Sequence, residues 1–178
     1  MHDFWALLFG AFLATAGGFL RIQYERNQER KSLKAALAAE IRAILSIVER
    51  RDYIAGMETF IDSIDAQQNN LFQIRIARDY DVVFRANCNR IGLLPAHLSE
   101  RVVQFYYLIY SAVEDIRLLA DANVSPELRL PWRLDTPDGN RVFHQQLLEI
   151  SRRAIVVGEA VATELAGPNR RGNEPVLE

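Results

Sequence analysis

Cysteine is almost missing from this chain of 178 residues: Cys88 stands alone, so no intrachain disulfide can form. A thiolate zinc site would need its other ligands from elsewhere, and Cys88 is expected to serve as a small buried apolar residue. A surplus of positive charge is missing too. The formal net charge is −2, whereas a nucleic-acid binder needs clustered, uncompensated Lys and Arg. Here Arg50, Arg51, Arg152 and Arg153 have Glu49, Asp52 and Glu149 as sequence neighbours, which predicts local pairing and no nucleic-acid partner.

Catalytic patterns are equally scarce. No nucleophile stands beside a base, no metal ligands recur at helical spacing, and no glycine-rich loop leads into Lys-Ser or Lys-Thr. Gly17-Gly18 lies inside an apolar run. His97 and His144 lack a His or Cys one turn away and read as surface or helix-end residues. The Asp79/Asp81 and Glu114-Asp115 pairs read as solvated carboxylates. The expectation is a protein that is not an enzyme and holds no cofactor or metal.

Charge is absent altogether from Phe4 to Leu20, and the run through Ile22 reaches the roughly 17 to 20 residues that a helix needs to span a bilayer. Phe4 and Trp5 supply aromatic residues for one interface, and Arg21 can snorkel at the other. Residues 1–22 are therefore expected to be a single transmembrane anchor. The competing reading is a secretory signal cut near Ala14-Thr15-Ala16, which would release a periplasmic helical protein. Met1-His2-Asp3 supplies no Lys or Arg for such a signal, whereas Arg21, Arg26, Arg30, Lys31 and Lys34 all follow the run. That asymmetry predicts an inner-membrane protein with its N-terminus outside and its C-terminal part in the cytoplasm. The same five basic residues are candidate contacts for anionic lipid headgroups.

Ala6, Gly10, Ala14 and Gly18 recur every four residues and would let a second helix approach closely, making them candidate helix–helix contacts for a homo-oligomer or a membrane partner. No linker follows. RIQYERNQERKS, from Arg21 to Ser32, contains neither Pro nor Gly, which predicts that the helix continues out of the membrane.

Residues 23–166 read as an all-α domain, an antiparallel helical bundle. Leu33, Leu37, Ile41, Ile44 and Val48 form an amphipathic stripe that Ile54, Met57, Ile61 and Ile64 continue with a phase shift, predicting one long helix with a bend at Gly56. Short extended segments are possible at 71–77 and 128–134. A helix is predicted over Asp79–Ile91, capped by Gly92, with Pro95 starting the next. That next helix, from Ala96 to about Asp121, carries Leu98, Val102, Phe105, Ile109, Val113, Ile116 and Leu119 on one face. Tyr106, Tyr107 and Tyr110 lie beside that face, with their hydroxyls expected in water. Trp132, in the Pro-containing connection, is a candidate partner contact or a seal on the bundle end. Thr136-Pro137-Asp138 starts the last helix and Gly167-Pro168 ends it, leaving 167–178 as a flexible tail.

The segments LKAALAAEIRAI, VVFRANCNRIGLLP and LSERVVQFYYLIYSAVEDI resemble uncharacterised bacterial single-pass membrane-anchored proteins with a helical cytosolic region. The resemblance implies an architecture and no activity. The function expected is that of a membrane-anchored interaction or scaffold protein; a pore-type effector of a phage or anti-phage system is the alternative.

Overall fold

A computed structural model describes the backbone of residues 2–64, 71, 72, 74, 76, 79–124 and 134–167, and the side chains of 16–64, 71, 72, 74, 76, 79–121 and 134–167. Within these residues the fold is all-α and contains no strand. It comprises α1 (His2–Arg50), α2 (Tyr53–Ser63), α3 (Val82–Asn87), a 3-10 helix (Cys88–Leu93), α4 (Ala96–Val124) and α5 (Pro137–Ala166). Trp132 and most of the 128–134 segment lie outside the described residues, as does the tail beyond Gly167.

Helix α1 runs unbroken for 49 residues. From Phe19 to Arg50 the sequence offers no Pro or Gly to interrupt it, and good helix formers fill the interval. Arg21 and Glu25 pair one turn apart at 2.8 Å, and Gln28 donates to the Tyr24 hydroxyl at 2.8 Å, each contact adding a few tenths of a kcal/mol. Every side chain from Gly17 to Ser32 is exposed. Packing begins at Leu33, so these 16 residues form a stalk about 24 Å long at 1.5 Å per residue.

The expected bend at Gly56 is displaced to Asp52, whose backbone is left-handed, with φ 51° and ψ 40°. Asp is one of the few residues that visits this region at modest cost. Gly56 stays helical: its N–H donates to the Asp52 carbonyl at 3.0 Å. A Cβ there would sit 3.6 Å from the Phe72 ring, which is ordinary contact.

The helix predicted over Asp79–Ile91 is also corrected, because α3 holds only Val82–Asn87 and the chain then tightens into the 3-10 helix. Gly92 lies inside that 3-10 helix and has no positive φ, so it does not cap an α-helix. Cys88, expected to be buried, is exposed at the start of the same helix. Ser99 ties this region to α4 by donating to the Ile91 carbonyl at 2.9 Å.

Helix α5 begins as its sequence predicts. Thr136 caps it by accepting from the Gly139 N–H at 3.2 Å, Pro137 occupies the first turn, and Gly167 ends it at φ 71°. It lies antiparallel to α4 and α1: near one end Glu164 meets Arg101 at 2.7 Å, and further along Gly158 meets Phe105 and Leu45.

Two apolar clusters result. One joins Leu37 and Ile41 of α1, Phe105 of α4 and Val161 of α5; the other joins Met57 of α2, Leu119 of α4 and Leu147 of α5. Each fully buried Leu or Phe contributes about 1.5–3 kcal/mol of transfer free energy.

Candidate functional site

The N-terminal half of α1 holds most of the residues singled out in the sequence. Ala6, Gly10 and Ala14 belong to α1, but their side chains lie outside the described residues. Gly18 is exposed, and a Cβ built on it or on Gly17 would have nothing within 4 Å. Phe19, Leu20 and Tyr24 are 61%, 67% and 65% exposed, a run of large apolar groups that no part of the bundle covers. Arg21, Arg26, Arg30 and Lys31 are exposed along the stalk, whereas Lys34 is half-buried at the start of the bundle. Among the described residues no helix is long and apolar enough to cross a membrane. The run from Phe4 falls largely on residues whose side chains are not described.

A second constellation escaped the sequence reading. Glu40, on the inner side of α1, accepts from the Val83 N–H at 2.6 Å through Oε1; its Oε2 accepts from the Phe84 N–H at 3.0 Å and from the Tyr106 hydroxyl at 2.5 Å. Next to it, the Tyr110 hydroxyl donates to Asp81 Oδ2 at 2.8 Å, and Arg85 Nε meets Asp81 Oδ1 at 3.1 Å. Tyr106 is fully buried and stacks on Phe84 with ring centroids 3.9 Å apart. Burial and the carboxylate at each hydroxyl push the Tyr106 and Tyr110 pKa values well above the ordinary tyrosine range.

Two expectations are thereby corrected. Asp81 is only 5% exposed and is not solvated, and the Tyr106 and Tyr110 hydroxyls face carboxylates; only Tyr107 is exposed. One signal for this cluster was present in the sequence. Glu40 falls on the same helical stripe as Leu33, Leu37 and Ile44, where a charge must find a partner if it is to be enclosed.

His144 is likewise corrected from a surface residue to a fully buried one. Its Nδ1–H donates to the Asn140 carbonyl at 2.9 Å, leaving Nε2 to accept from the Phe72 N–H at 3.4 Å. This assignment follows from the partners and requires a neutral ring. Phe60 and Phe143 pack against the ring, and burial lowers its pKa below the ordinary 6.5. The depressed value makes the unfolded chain the stronger proton binder, so the contribution is complete above pH 6.5 and is lost as pH falls below it. Urea melts at pH 7.5 and 5.5 should show lower stability at the acid value. The His144→Phe chain should lose that part of the pH dependence; an unchanged dependence would refute the role of His144.

His97, by contrast, is exposed and meets Glu164 at 2.7 Å. Arg152 pairs with Glu58 of α2, in place of the local partner predicted for it. Among the described residues no group of three His, Cys, Asp or Glu side chains is placed to hold a metal ion.

Between the two apolar clusters lies a cavity of about 160 Å³, walled by Ile44 and Val48 of α1, Met57 of α2, Ile116 of α4 and Ala154 of α5. Ile74 and Ile76, from the segment expected to be extended, close one side without forming a helix or strand. Arg51 reaches its rim, donating to the Tyr53 hydroxyl at 2.9 Å. Sequence periodicity assigns these residues to the core but cannot register a gap left where four helices meet.

No protein-family model, curated protein or solved structure matches this chain, so the reading of its sites rests on its own residues.

Proposed function

We propose that the chain is a membrane-anchored interaction protein: an N-terminal helix held in the inner membrane, N-terminus outside, presenting a helical bundle to partners on the cytoplasmic side. The observation that carries the reading is the continuity of α1, which runs from the uncharged segment through an uncovered stalk into the bundle core. Phe19 and Leu20, at the end of that segment, and Ile22, just beyond it, are exposed, as apolar side chains facing lipid would be. Tyr24 follows at the position of an interfacial aromatic. Arg21 and Arg26 are placed for headgroups, whereas Lys34 lies about 18 Å beyond Ile22 along the axis and belongs with the bundle.

In this reading the stripe Ala6, Gly10, Ala14 and Gly18 pairs anchors into a homo-oligomer or joins a membrane partner. Topology reporters fused to each end test the orientation. An external N-terminus and an internal C-terminus are expected, and an exported C-terminus overturns the model. Replacing Gly10 and Ala14 with Leu should reduce cross-linked oligomers in native membranes; undiminished cross-linking removes the pairing role.

A further inference from the structure

The cavity between the two core clusters adjoins the left-handed turn at Asp52, where α1 gives way to α2. Ile44, Met57, Val113 and Ala154 are all buried, and they wall it with apolar atoms from four different helices. Well-packed cores leave few voids larger than a water molecule, because the walls of an empty one forfeit the contacts they would otherwise make. A water inside would need about two to four polar partners, which these four side chains do not offer.

Among the described residues the polar side chains around the cavity are Arg51, Tyr53, Tyr80 and Ser151, and each is either engaged or uncharged. Ser151 Oγ donates to the Leu147 carbonyl of its own helix at 2.8 Å. Arg51 donates to the Tyr53 hydroxyl at 2.9 Å and has a further partner, so its guanidinium is not waiting for an anion. Tyr80 brings a ring that packs against Tyr110 with centroids 6.3 Å apart, and burial together with the Asp81 carboxylate holds its hydroxyl in the protonated form. No carboxylate is among the described residues on the wall. An ionised ligand would therefore lose its hydration without gaining a free counter-charge.

We infer that this cavity takes up one small uncharged apolar molecule, the size of a single aromatic ring, between Ile44, Met57, Ile116 and Ala154. Its volume of about 160 Å³ is close to the roughly 150 Å³ of an engineered apolar cavity that stays dry and binds benzene. Apolar walls with few polar groups are the usual composition of a small-molecule pocket. The occupant touches Ile44 of α1 and Met57 of α2, on either side of Asp52, and so braces the two helices against each other across that turn. The inference does not depend on the anchor reading, since every described lining residue follows Leu33.

Met57 is one of two methionines, the other being Met1, so isotopic labelling of methionine methyls gives the cavity its own NMR signal. The full chain in lipid nanodiscs is titrated with benzene and, separately, with benzoate. Benzene should shift the Met57 signal saturably and slow hydrogen exchange at Ile54 and Met57, whereas benzoate at equal concentration should do neither. Ala112→Leu, which adds bulk to the cavity wall, should weaken the benzene titration at least about tenfold, because the added methyl groups take the space that the ring needs. If circular dichroism shows that this variant unfolds, Ala154→Val serves instead. A Met57 signal that stays fixed, or that moves only in step with Met1 as benzene fills the lipid, overturns the site. Binding undiminished by the filling variant overturns it as well, and a benzoate shift equal to that of benzene overturns the assignment of an uncharged ligand.

Discussion

Glu40→Ala is expected to destabilise the bundle by about 3 kcal/mol or more, because hydrogen bonds to a charged group contribute roughly 1.5–3 kcal/mol each and three donors converge on this carboxylate. The Tyr106 hydroxyl has no exposure with which to recruit water after the carboxylate is removed. The amides of Val83 and Phe84, the second and third residues of α3, lose their acceptor as well, and six residues of helix hold little stability of their own. Tyr106→Phe should cost less, about 1–2 kcal/mol, since it deletes one donor and leaves the carboxylate on two backbone amides. Glu40→Gln should fall between them: its amide NH₂ can only donate, and it faces at least one group that also donates. Urea unfolding ranks the three variants, and hydrogen exchange at Val83 and Phe84 localises the loss. Glu40→Ala within 0.5 kcal/mol of the parent would mean that the cluster is decorative.

The second large effect is expected at Gly158. A Cβ there would sit 2.6 Å from Phe105 Cε2, 3.0 Å from Cδ2 and 3.2 Å from Leu45 Cδ2, closer than packed atoms tolerate. Phe105 cannot move aside cheaply, since it is fully buried and edge-on to Tyr106 with centroids 5.1 Å apart. Gly→Ala in a helix gains about 1 kcal/mol of propensity, against roughly 1–3 kcal/mol for overpacking a closed core. The clash with a ring that cannot move sets the sign, with a net loss of up to about 2 kcal/mol for Gly158→Ala and more than about 3 kcal/mol for Gly158→Leu. A lowered urea midpoint at unchanged slope is the expected signature. Phe105→Leu should partly relieve Gly158→Ala, giving a coupling that two independent losses would not show. Gly158→Ala at or above the parent's stability would refute the close crossing.

The same two sites show what a sequence can and cannot disclose. Helices α4 and α5 were legible because their apolar residues recur at helical spacing and because Thr136, Pro137 and Gly167 mark the ends of α5. Leu98, Val102, Phe105, Val113 and Leu119 are buried as that period requires. Gly158 carried no such mark: its importance comes from two helices crossing it, which lie far away in the chain. Glu40 and Tyr106 are 66 residues apart, and the pairing of a carboxylate with a hydroxyl leaves no periodic trace. His144 misled for a related reason, since its partners are backbone groups that any residue could supply. At Asp52 and Gly56 the local rule favoured the wrong residue: glycine is free to bend but does so only where the packing asks, and here it lies beside the Phe72 ring.

Because α1 passes from Gly17 to Leu33 without a break, the direction in which the bundle faces is counted in residues. Each residue added to the stalk turns everything beyond it by about 100° and advances it by about 1.5 Å, whereas removing seven keeps nearly the same heading and shortens the reach by about 10 Å. The stalk is therefore a phase setting as well as a spacer, and a partner fixed in place beside it would meet a different face of the bundle for each single-residue change.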